Sequence, residues 1–570
     1  MGETRVIACN FRENNLQLVG KFSKAKRGVN VMIKKGWLAL VSTALVGTLF
    51  LAACGQTKSQ QASNKQELNV ATTAEMATLN TVKYSDTSSL EALQNTFEGL
   101  YRFNTKSKPV LAGAHSVKVS ADKKTYTFTL RKDAKWSNGD PVVASDYVYA
   151  WRNMVDPKQA SPNSQRFLPI KNGLKTASGE LPVDQLGVKA LSKYQLEVQL
   201  EAPISYLPEL LTGAPFYPQD QKFVEKTGSA YGTSAAKTVF NGPFVVKNWT
   251  GTNLKWNYVK NKDYWDKKAV SLKQVNVQVV KDTSTAAKLY QTGKLDYTAL
   301  STDYIRQYKS TPGYHTKSIP LIGYMAFNVH RPDTANVHFR KAIAQAYDKQ
   351  LLVKKVLHAG SPLNGIVPAN FAFNSQTDTD YRKDAGDMLT YNLKAARKQW
   401  ALAKKELGKD KLSVEILTSD TTESKQVGEY LQSQLEANLK GLTVTVRSIP
   451  LKSRLQATTN YDFDIVYGTW QPDYADPVNF ISDGGQYHLD DDYHNANYRN
   501  LLNQAATTYA TDTNKRWATL IKAEKQLIKD DAFTAPVYQG AMAYLLKDKV
   551  HGLNISPYGT MLFYRDVTIK

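Results

Sequence analysis

Short strand-like runs alternate with longer amphipathic helices along most of this chain, and this alternation constrains the fold more than any other feature. Residues 125–130 alternate Tyr and Phe with Thr, which is the pattern of a half-buried strand. Further strands are predicted at residues 274–280 and 442–448, and helices at residues 338–357, 392–407 and 424–439. The mixture predicts an α/β architecture, because helices between strands pack onto the faces of a sheet.

The N-terminal part of the chain contains an export signal. Lys34 and Lys35 precede an apolar run at residues 37–50, which is shorter than the roughly 20 residues that a membrane-spanning helix needs. The run leads into Leu-Ala-Ala-Cys, which ends at Cys54 and matches the bacterial lipobox. We therefore expect Cys54 to be lipidated and to anchor the protein on the extracellular face of the cell membrane. A buried Cys after an unrelated apolar segment is the alternative.

The segments around this signal are predicted as follows. Residues 1–31 fit no part of an export signal and are interpreted as a mis-assigned start, whereas residues 32–53 form a complete signal peptide. Residues 54–66 are polar and predict a flexible tether. Cys9 is the only other cysteine in the sequence, so a mature protein that starts at Cys54 has no disulfide and depends on its hydrophobic core for stability.

The chain is strongly basic. Its net charge of +22 falls to +16 without residues 1–53, which carry eight basic and two acidic side chains. Nucleic acid is the obvious partner for such a charge. The Lys residues are spread along the chain, however, and no nucleic-acid-binding motif is present. We therefore expect no nucleic acid partner and interpret the charge as a basic surface facing an anionic cell envelope.

No catalytic signature is present in the sequence. The Gly-x-Ser-x-Gly elbow, the His-Glu-x-x-His zinc helix, the Walker loop and the Gly-x-Gly-x-x-Gly fingerprint are all absent. No thiol nucleophile remains once Cys54 is lipidated. The sequence therefore predicts a protein that is not an enzyme and that uses no cofactor.

One cluster has the composition of a metal site. His488, Asp490, Asp491, Asp492 and His494 fall within seven residues, and imidazole and carboxylate groups are common metal ligands. No predicted helix or strand fixes the geometry of these side chains. We therefore favour a solvated loop and predict no metal here, with a divalent-cation site as the alternative.

A candidate binding loop follows a strand predicted at residues 463–469. The loop begins at Trp470 and runs past Asp473 and Tyr474 to Pro477. In α/β sheets, ligands bind beyond the carboxyl ends of the strands. A carboxylate at Asp473, shielded by two aromatic rings, can pair with an ammonium group. The alternative is that Asp473 caps a turn, or the helix predicted to begin near Pro477.

Several short motifs follow one another in a characteristic order. They are LNVATTAEMATLNT at residues 68–81, FEGL at 97–100, the block at 120–148, NGPF at 241–244, NKDYW at 261–265, GKLD at 293–296, and Phe327-Asn328 ahead of a helix with Arg340. Their order resembles that of the oligopeptide-binding proteins of ABC importers, solute-binding protein family 5. The resemblance covers essentially all of residues 68–570, and the block at 120–148 is its most specific part.

The resemblance implies a two-lobed, periplasmic-binding-protein-like α/β fold of type II, cluster C, with an extra subdomain inserted in lobe I. Arg131, Trp136 and Asp146 are implied to have structural roles in that subdomain. The implied boundaries are residues 67–98, 214–322 and 536–570 for lobe I, 99–213 for the inserted subdomain and 323–535 for lobe II.

The resemblance also implies a peptide site. The family's ammonium-binding aspartate lies in a Trp-x-x-Asp-Tyr motif, which falls on Trp470, Asp473 and Tyr474. A stretch of extended backbone is implied to pair with the peptide as an added strand. It runs from about Thr73 to Met76 and includes Ala74, Glu75 and Met76.

The implied function is the capture of oligopeptides and their delivery to the permease subunits of an ABC transporter, by a monomer held at the membrane through its lipid anchor. A peptide-pheromone receptor and a metal or metal-chelate binding protein are the alternatives. The chain departs from the family at Arg499-Asn500, where an Asp usually precedes paired leucines. A role carried by that Asp is therefore not implied here.

Overall fold

The computed structural model describes residues 66–472, 474–482, 492–556, 558 and 561–570. The predicted signal segment and nearly all of the predicted tether lie outside these residues. So do several residues singled out above, namely Cys54, Asp473, His488, Asp490 and Asp491. Within the described part of the chain, no helix is both long and apolar enough to cross a bilayer.

Most strands are short, and two long strands, β12 and β17, connect the halves of the molecule. In chain order they are β1 Glu67–Thr72, β2 Tyr101–Phe103, β3 Pro109–Leu111, β4 Ala114–Val119, β5 Thr125–Leu130, β6 Val188–Ser192, β7 Gln195–Gln199, β8 Phe244–Lys247, β9 Lys255–Lys260, β10 Gln274–Val279, β11 Tyr297–Leu300, β12 Tyr314–Phe327, β13 Ser361–Pro362, β14 Leu412–Ser419, β15 Leu442–Ile449, β16 Ile465–Trp470, β17 Thr534–Leu546, β18 Val550–His551, β19 Asn554–Ile555, β20 Leu562–Phe563 and β21 Thr568–Ile569.

The helices alternate with these strands. In chain order they are α1 Thr87–Thr96, α2 Ala144–Val155, α3 Gly173–Ala177, α4 Leu207–Leu210, α5 Gln221–Thr227, α6 Thr283–Gln291, α7 Thr302–Tyr308, α8 Pro332–Ala335, α9 Val337–Gln345, α10 Lys349–Leu352, α11 Tyr381–Ala385, α12 Leu393–Leu407, α13 Thr422–Asn438, α14 Leu451–Thr459, α15 Val478–Ile481, α16 Ala496–Ala506 and α17 Thr513–Glu524.

Polar side chains cap the starts of many of these helices. Asp86 accepts a hydrogen bond from a backbone N–H in the first turn of α1, and Asp282 does the same for α6. Asn392 caps α12 in this way, and Asp512 caps α17. Such a cap satisfies N–H groups that have no partner within the helix. The positions of Asp and Asn in the sequence therefore set where these helices begin.

One prediction from the sequence is wrong, because a helix expected to be continuous is interrupted. Residues 338–357 were expected to form a single helix, but α9 ends at Gln345 and α10 begins at Lys349. The carboxylate of Asp348 accepts a hydrogen bond from Leu351 N at 3.0 Å, so Asp348 starts a new helix. The other strands and helices predicted from the pattern are confirmed, with small shifts at their ends.

An 11-stranded sheet runs through the described molecule in the order β15-β14-β16-β12-β17-β11-β1-β10-β9-β8, and β13 also pairs with β17. In one half, β1 is parallel to β10 and β11. In the other half, β14 is parallel to β15 and β16. Helices connect the parallel strands in both halves, which confirms the α/β architecture predicted from the sequence.

The two long strands β12 and β17 join the halves of this sheet. The two strands are antiparallel. The first part of β12 therefore pairs with the last part of β17, and the last part of β12 pairs with the first part of β17. The pairing shifts register between Ser318 and Ile322 and again after Gly323. Gly323 is needed there because a Cβ would lie 2.3 Å from the ring of Tyr538. Between the two halves of the sheet, both strands thus pass through a short irregular stretch, which we call the crossing. Such a stretch is the arrangement of a hinge.

Two large hydrophobic cores lie on either side of the crossing. The first contains side chains from residues 68–319 and 542–569, and the second contains side chains from residues 322–538. We call the parts built on them lobe I and lobe II. The two-lobed fold implied by the resemblance is confirmed, whereas the exact lobe and subdomain boundaries stay a prediction.

A separate antiparallel sheet, β4-β5-β7-β6, packs with α2 in lobe I. The fully buried indole of Trp136 donates from Nε1 to Asp146 Oδ2 at 3.0 Å, and Val143 N donates to the same oxygen at 3.0 Å. The guanidinium of Arg131 lies 3.5 Å from the centroid of the Trp265 ring. These contacts stabilise the interior of lobe I, in agreement with the structural roles expected for these residues.

Candidate functional site

A cavity of about 710 Å³ opens at the carboxyl ends of the parallel strands of lobe I. Its walls come from the end of β1 and the two residues after it (71–74), from the first turns of α1, from β11 and the start of α7 (residues 297–302), and from residues 541–543 of β17. Ligands of α/β proteins bind at this edge of the sheet. The volume falls in the range of pockets that enclose small ligands.

The extended backbone predicted to contact a peptide reaches this cavity only in part. Ala74 lines the cavity and its carbonyl accepts a hydrogen bond from Ser88 Oγ at 3.1 Å. The exposed carboxylate of Glu75 pairs with Lys281 at 2.7 Å. The side chain of Met76 is 2 % exposed and packs in the first core.

The wall formed by α1 carries the carboxyl groups of Asp86 and Glu91. Glu91 accepts hydrogen bonds from Leu562 N at 3.0 Å and from Tyr564 Oη at 2.8 Å. Burial outweighs these bonds and raises the pKa of Glu91 to about 7. The charge of the cavity wall therefore changes near neutral pH.

A second cavity of about 300 Å³ adjoins the first. Thr87 lines both cavities, and Gln471 and Pro472 of lobe II line the second. Several apolar side chains complete its walls, including Leu90, Leu210, Phe216 and Met561. Because Pro472 directly precedes Asp473, the predicted binding loop reaches the same crevice from the lobe II side.

Of the two aromatic residues predicted for this loop, Trp470 lies just before it and Tyr474 lies in its middle. Trp470 is the last residue of β16 and not the first residue of the loop, because its backbone still pairs with β12. Its indole Nε1 donates to Asn479 Oδ1 at 3.3 Å. Tyr474 is half-buried and stacks on Tyr206 of lobe I. Asp473 lies outside the described residues, so its pairing with an ammonium group stays a prediction.

The sequence did not single out Asp476, which the structure places in this loop with a strong partner. Arg516 donates from Nη1 to Asp476 Oδ2 at 2.8 Å and from Nη2 to Oδ1 at 2.9 Å. Val478 N also donates to Asp476 Oδ1 at 3.0 Å, so Asp476 closes a turn just before α15, whose N-cap is Pro477. The signal for this turn is the Asp-Pro pair formed by Asp476 and Pro477.

The alternative metal site lies only partly within the described residues. Asp492 accepts a hydrogen bond from Tyr461 Oη at 3.0 Å and contacts His330 Nε2 at 2.8 Å. His494 Nδ1 contacts the guanidinium of Arg499 at 3.1 Å. Among the residues that the structure describes, no group of three or more His, Cys, Asp or Glu could hold a metal ion. The remaining members of the cluster are not described, so this alternative stays untested.

Comparisons with known proteins place the chain in a family. A sequence profile described as bacterial extracellular solute-binding proteins, family 5 Middle, matches residues 108–486, which is more than half of the chain. The dipeptide-binding protein of Lactococcus lactis subsp. cremoris is 33% identical over 549 residues, which cover 94% of this chain and 99% of that protein.

Solved structures share the fold over most of the chain. The structure of Listeria monocytogenes OppA bound to peptide has a TM-score of 0.70 and 42% identity, and covers 89% of this chain and 100% of that one. The pheromone receptor PrgZ has a TM-score of 0.70 and 37% identity, with 89% and 100% covered. From the profile match and these similarities, the chain belongs to family 5 of the bacterial extracellular solute-binding proteins.

Proposed function

We propose that this protein captures oligopeptides between its two lobes and delivers them to the permease subunits of an ABC transporter. The observation that carries the proposal is the cavity of about 710 Å³ at the carboxyl ends of β1 and β11, between the hinge strands and α1. The similarity to a dipeptide-binding protein and to OppA bound to peptide supports a peptide as the ligand. We propose a binding role and no catalytic one.

Main-chain hydrogen bonding is the proposed basis of recognition. Thr73 and Ala74 are exposed, line the cavity and leave the sheet just after β1 ends. An extended peptide can bond to such backbone as an added strand, and the bonds do not depend on the peptide's side chains. Glu75 and Met76 continue the same stretch. Recognition of this kind suits a receptor that accepts many sequences.

The ammonium group of the peptide is proposed to pair with Asp473. Trp470 and Tyr474 flank Asp473 in the sequence, and Tyr474 is half-buried against lobe I. Closure of the lobes around a ligand removes water, which strengthens the attraction between a carboxylate and an ammonium group. This assignment gives the binding site a fixed point for one end of the peptide.

The protein is further proposed to be a monomer anchored to the outer face of the cell membrane through lipid on Cys54. The lipobox that ends at Cys54 supports the anchor. Membership of an extracellular family agrees with an address outside the cell.

Asp473→Asn tests the proposed function, because it removes the charge while keeping the shape of the side chain. We expect it to weaken binding of free-amine tetrapeptides by about thirtyfold or more, and to change binding of N-acetylated tetrapeptides little. Titration calorimetry with both peptide pools measures this. Asp410→Asn is the matched control. Asp410 is an exposed carboxylate of lobe II that lies just before the first residue of β14, at the other edge of the sheet from the predicted binding loop. Equal affinity of wild type and Asp473→Asn for the free-amine pool would contradict the assignment.

A second candidate function is the capture of a peptide signal, which the similarity to the pheromone receptor PrgZ favours. The same pocket serves both functions, so the range of ligands separates them. A nutrient receptor binds most members of a random tetrapeptide pool, whereas a signal receptor selects one sequence or a few.

A further inference from the structure

A row of amide side chains crosses one face of the sheet in lobe I. Asn257 Nδ2 donates to Asn276 Oδ1 at 2.7 Å, and Asn276 Nδ2 donates to Asn69 Oδ1 at 3.0 Å. These three residues lie on the neighbouring strands β9, β10 and β1, at directly paired positions. Asn248, which follows β8, extends the row by donating from Nδ2 to Asn257 Oδ1 at 2.7 Å. We call these four residues the amide ladder.

Strand formation does not account for the ladder. Asn is depleted in strands, because its short polar side chain packs poorly on a pleated surface and competes for backbone hydrogen bonds. The opposite face of the same strands has the residues that strands favour, since Val70, Val277 and Tyr258 are buried in the first core. Three Asn residues at paired positions therefore need a reason other than the stability of the sheet.

The ladder lines a cavity of about 520 Å³, which shares no lining residue with the proposed peptide cavity. Asn253 and Gln278 add two more amides to its walls, and the exposed Lys255 and Lys294 add two cations. Among the residues that the structure describes, no Asp or Glu lines this cavity. Its volume falls in the range of sites that hold small ligands.

The amides of the ladder keep hydrogen-bonding capacity for a ligand. A primary amide has two N–H donors and an oxygen that accepts two bonds. Asn69, Asn257 and Asn276 each donate one N–H to another side chain in the described part of the chain, so the second N–H of each is left over. The oxygens of Asn69 and Asn257 each accept one bond there, which leaves one acceptor position each. Donors and acceptors side by side match hydroxyl groups, which both donate and accept.

The charge of the cavity is positive. The ladder ends at Asp296, which is 2% exposed and accepts bonds from Asn69 N and Nδ2, both at 2.9 Å. Lys549 pairs with the other oxygen of this carboxylate at 2.8 Å, so its charge is compensated. The ammonium groups of Lys255 and Lys294 therefore face no carboxylate of the cavity wall. An ammonium group of this kind binds phosphate as a point charge.

We propose that this cavity binds a sugar phosphate. The amide ladder exchanges hydrogen bonds with the sugar hydroxyls, and Lys255 and Lys294 pair with the phosphate. A free sugar phosphate and a phosphate-bearing polysaccharide offer this chemistry equally. The site is separate from the peptide cavity, so the inference does not rest on the proposed function.

Saturation-transfer NMR titrations of the full-length protein test the site. Mannose-6-phosphate is the free probe, and phosphomannan, which carries the same group on a polymer, distinguishes the two sources. We expect saturable binding of mannose-6-phosphate, and binding at least about fivefold weaker for mannose or inorganic phosphate alone, because each lacks half of the contacts. Asn257→Thr keeps a residue that strands favour and is expected to weaken binding of mannose-6-phosphate by about fivefold. Lys294→Ala is expected to weaken it by a similar factor.

The controls separate a built site from general attraction of anions to a basic protein. Lys226→Ala removes an exposed lysine of α5 that does not line the cavity, and is expected to leave the affinity for mannose-6-phosphate unchanged. If Asn257→Thr does not fold, the exposed Asn248 is replaced by Ala instead.

Three results would overturn the inference. They are no saturable binding of either sugar phosphate, inorganic phosphate bound as tightly as mannose-6-phosphate, and equal losses for Lys226→Ala and Lys294→Ala. Peptide titrations of the same variants are expected to stay within about twofold of wild type, because the two cavities share no residue. A wild type that binds no peptide would remove the proposed function and leave this site standing.

Discussion

Replacing Arg382 by Met is expected to destabilise lobe II strongly, because it leaves a buried carboxylate without its cation. Glu524 is 0% exposed and accepts hydrogen bonds from Arg382 Nη1 at 2.6 Å and Nη2 at 3.1 Å. It also accepts bonds from Ile366 N at 2.7 Å and Val367 N at 3.1 Å. In the variant, the N–H groups of Ile366 and Val367 still bond this carboxylate, but its cation is gone.

The size of the loss follows from the burial of the pair. Removing one partner of a buried ion pair costs about 3–5 kcal/mol, because the remaining charge has lost both water and its counter-ion. Met matches the apolar stem of Arg as far as Nε, so most of the apolar packing of the side chain is kept. The space is also tightly filled, since a Cβ on Gly365 would lie 1.8 Å from Arg382 Nη1.

Arg447→Met is the matched control within the same lobe. Arg447 pairs with Glu415 at 2.8 Å and with Asp462 at 2.9 Å, but its side chain is 31% exposed and those of its partners are 32% and 62% exposed. Exposed pairs contribute at most about 1 kcal/mol. The two variants thus remove the same type of side chain from carboxylate partners that differ in burial.

Urea unfolding followed by circular dichroism measures the free energy of unfolding of each variant by linear extrapolation. The expected order is a large loss for Arg382→Met and a small one for Arg447→Met. Equal losses in the two variants, or a loss below about 1 kcal/mol for Arg382→Met, would refute the reasoning from burial.

Two further predictions concern pH. Burial raises the pKa of Glu91 from 4.5 to about 7, so its contribution to stability is complete below pH 4.5 and is lost as the pH rises through 7. Relative to Glu91→Gln, the wild type should lose free energy of unfolding over that range, and parallel pH profiles would contradict this. Burial lowers the pKa of Lys349 from 10.5 to about 7, while its Nζ donates to the carbonyls of Leu363 and Leu389. Relative to Lys349→Met, the wild type should gain free energy of unfolding from pH 7 towards 10.5, and a constant difference would contradict this.

Much of the fold could be predicted from local patterns in the sequence. The alternation at residues 125–130 reappears as β5, and the helical spacing at residues 392–407 reappears as α12. Such patterns are informative because the backbone period of a strand or a helix is repeated in which side chains are buried. The break at Asp348 was missed because a single capping side chain interrupts an otherwise continuous helical pattern.

The predicted binding loop shows both what local patterns in the sequence reveal and what they miss. The sequence located Trp470 and Tyr474 after a strand of the sheet, and the structure places Trp470 at the end of that strand and Tyr474 in the loop. It did not reveal that Tyr206 stacks on Tyr474, because the two residues are far apart in the chain and no local pattern connects them. Nor did it show that Arg516 engages the loop through a buried carboxylate.

The sequence by itself determined the family, the order of strands and helices, and the positions of most helix starts, because each of these depends on residues close together in the chain. Only the tertiary structure decided which lobe I side chains meet the loop of lobe II, and which carboxyl group of the cavity wall has its pKa raised. Both outcomes depend on burial and on partners brought together by the crossing strands β12 and β17. Desolvation and contact are properties of the packed molecule, and they have no counterpart in a local stretch of sequence.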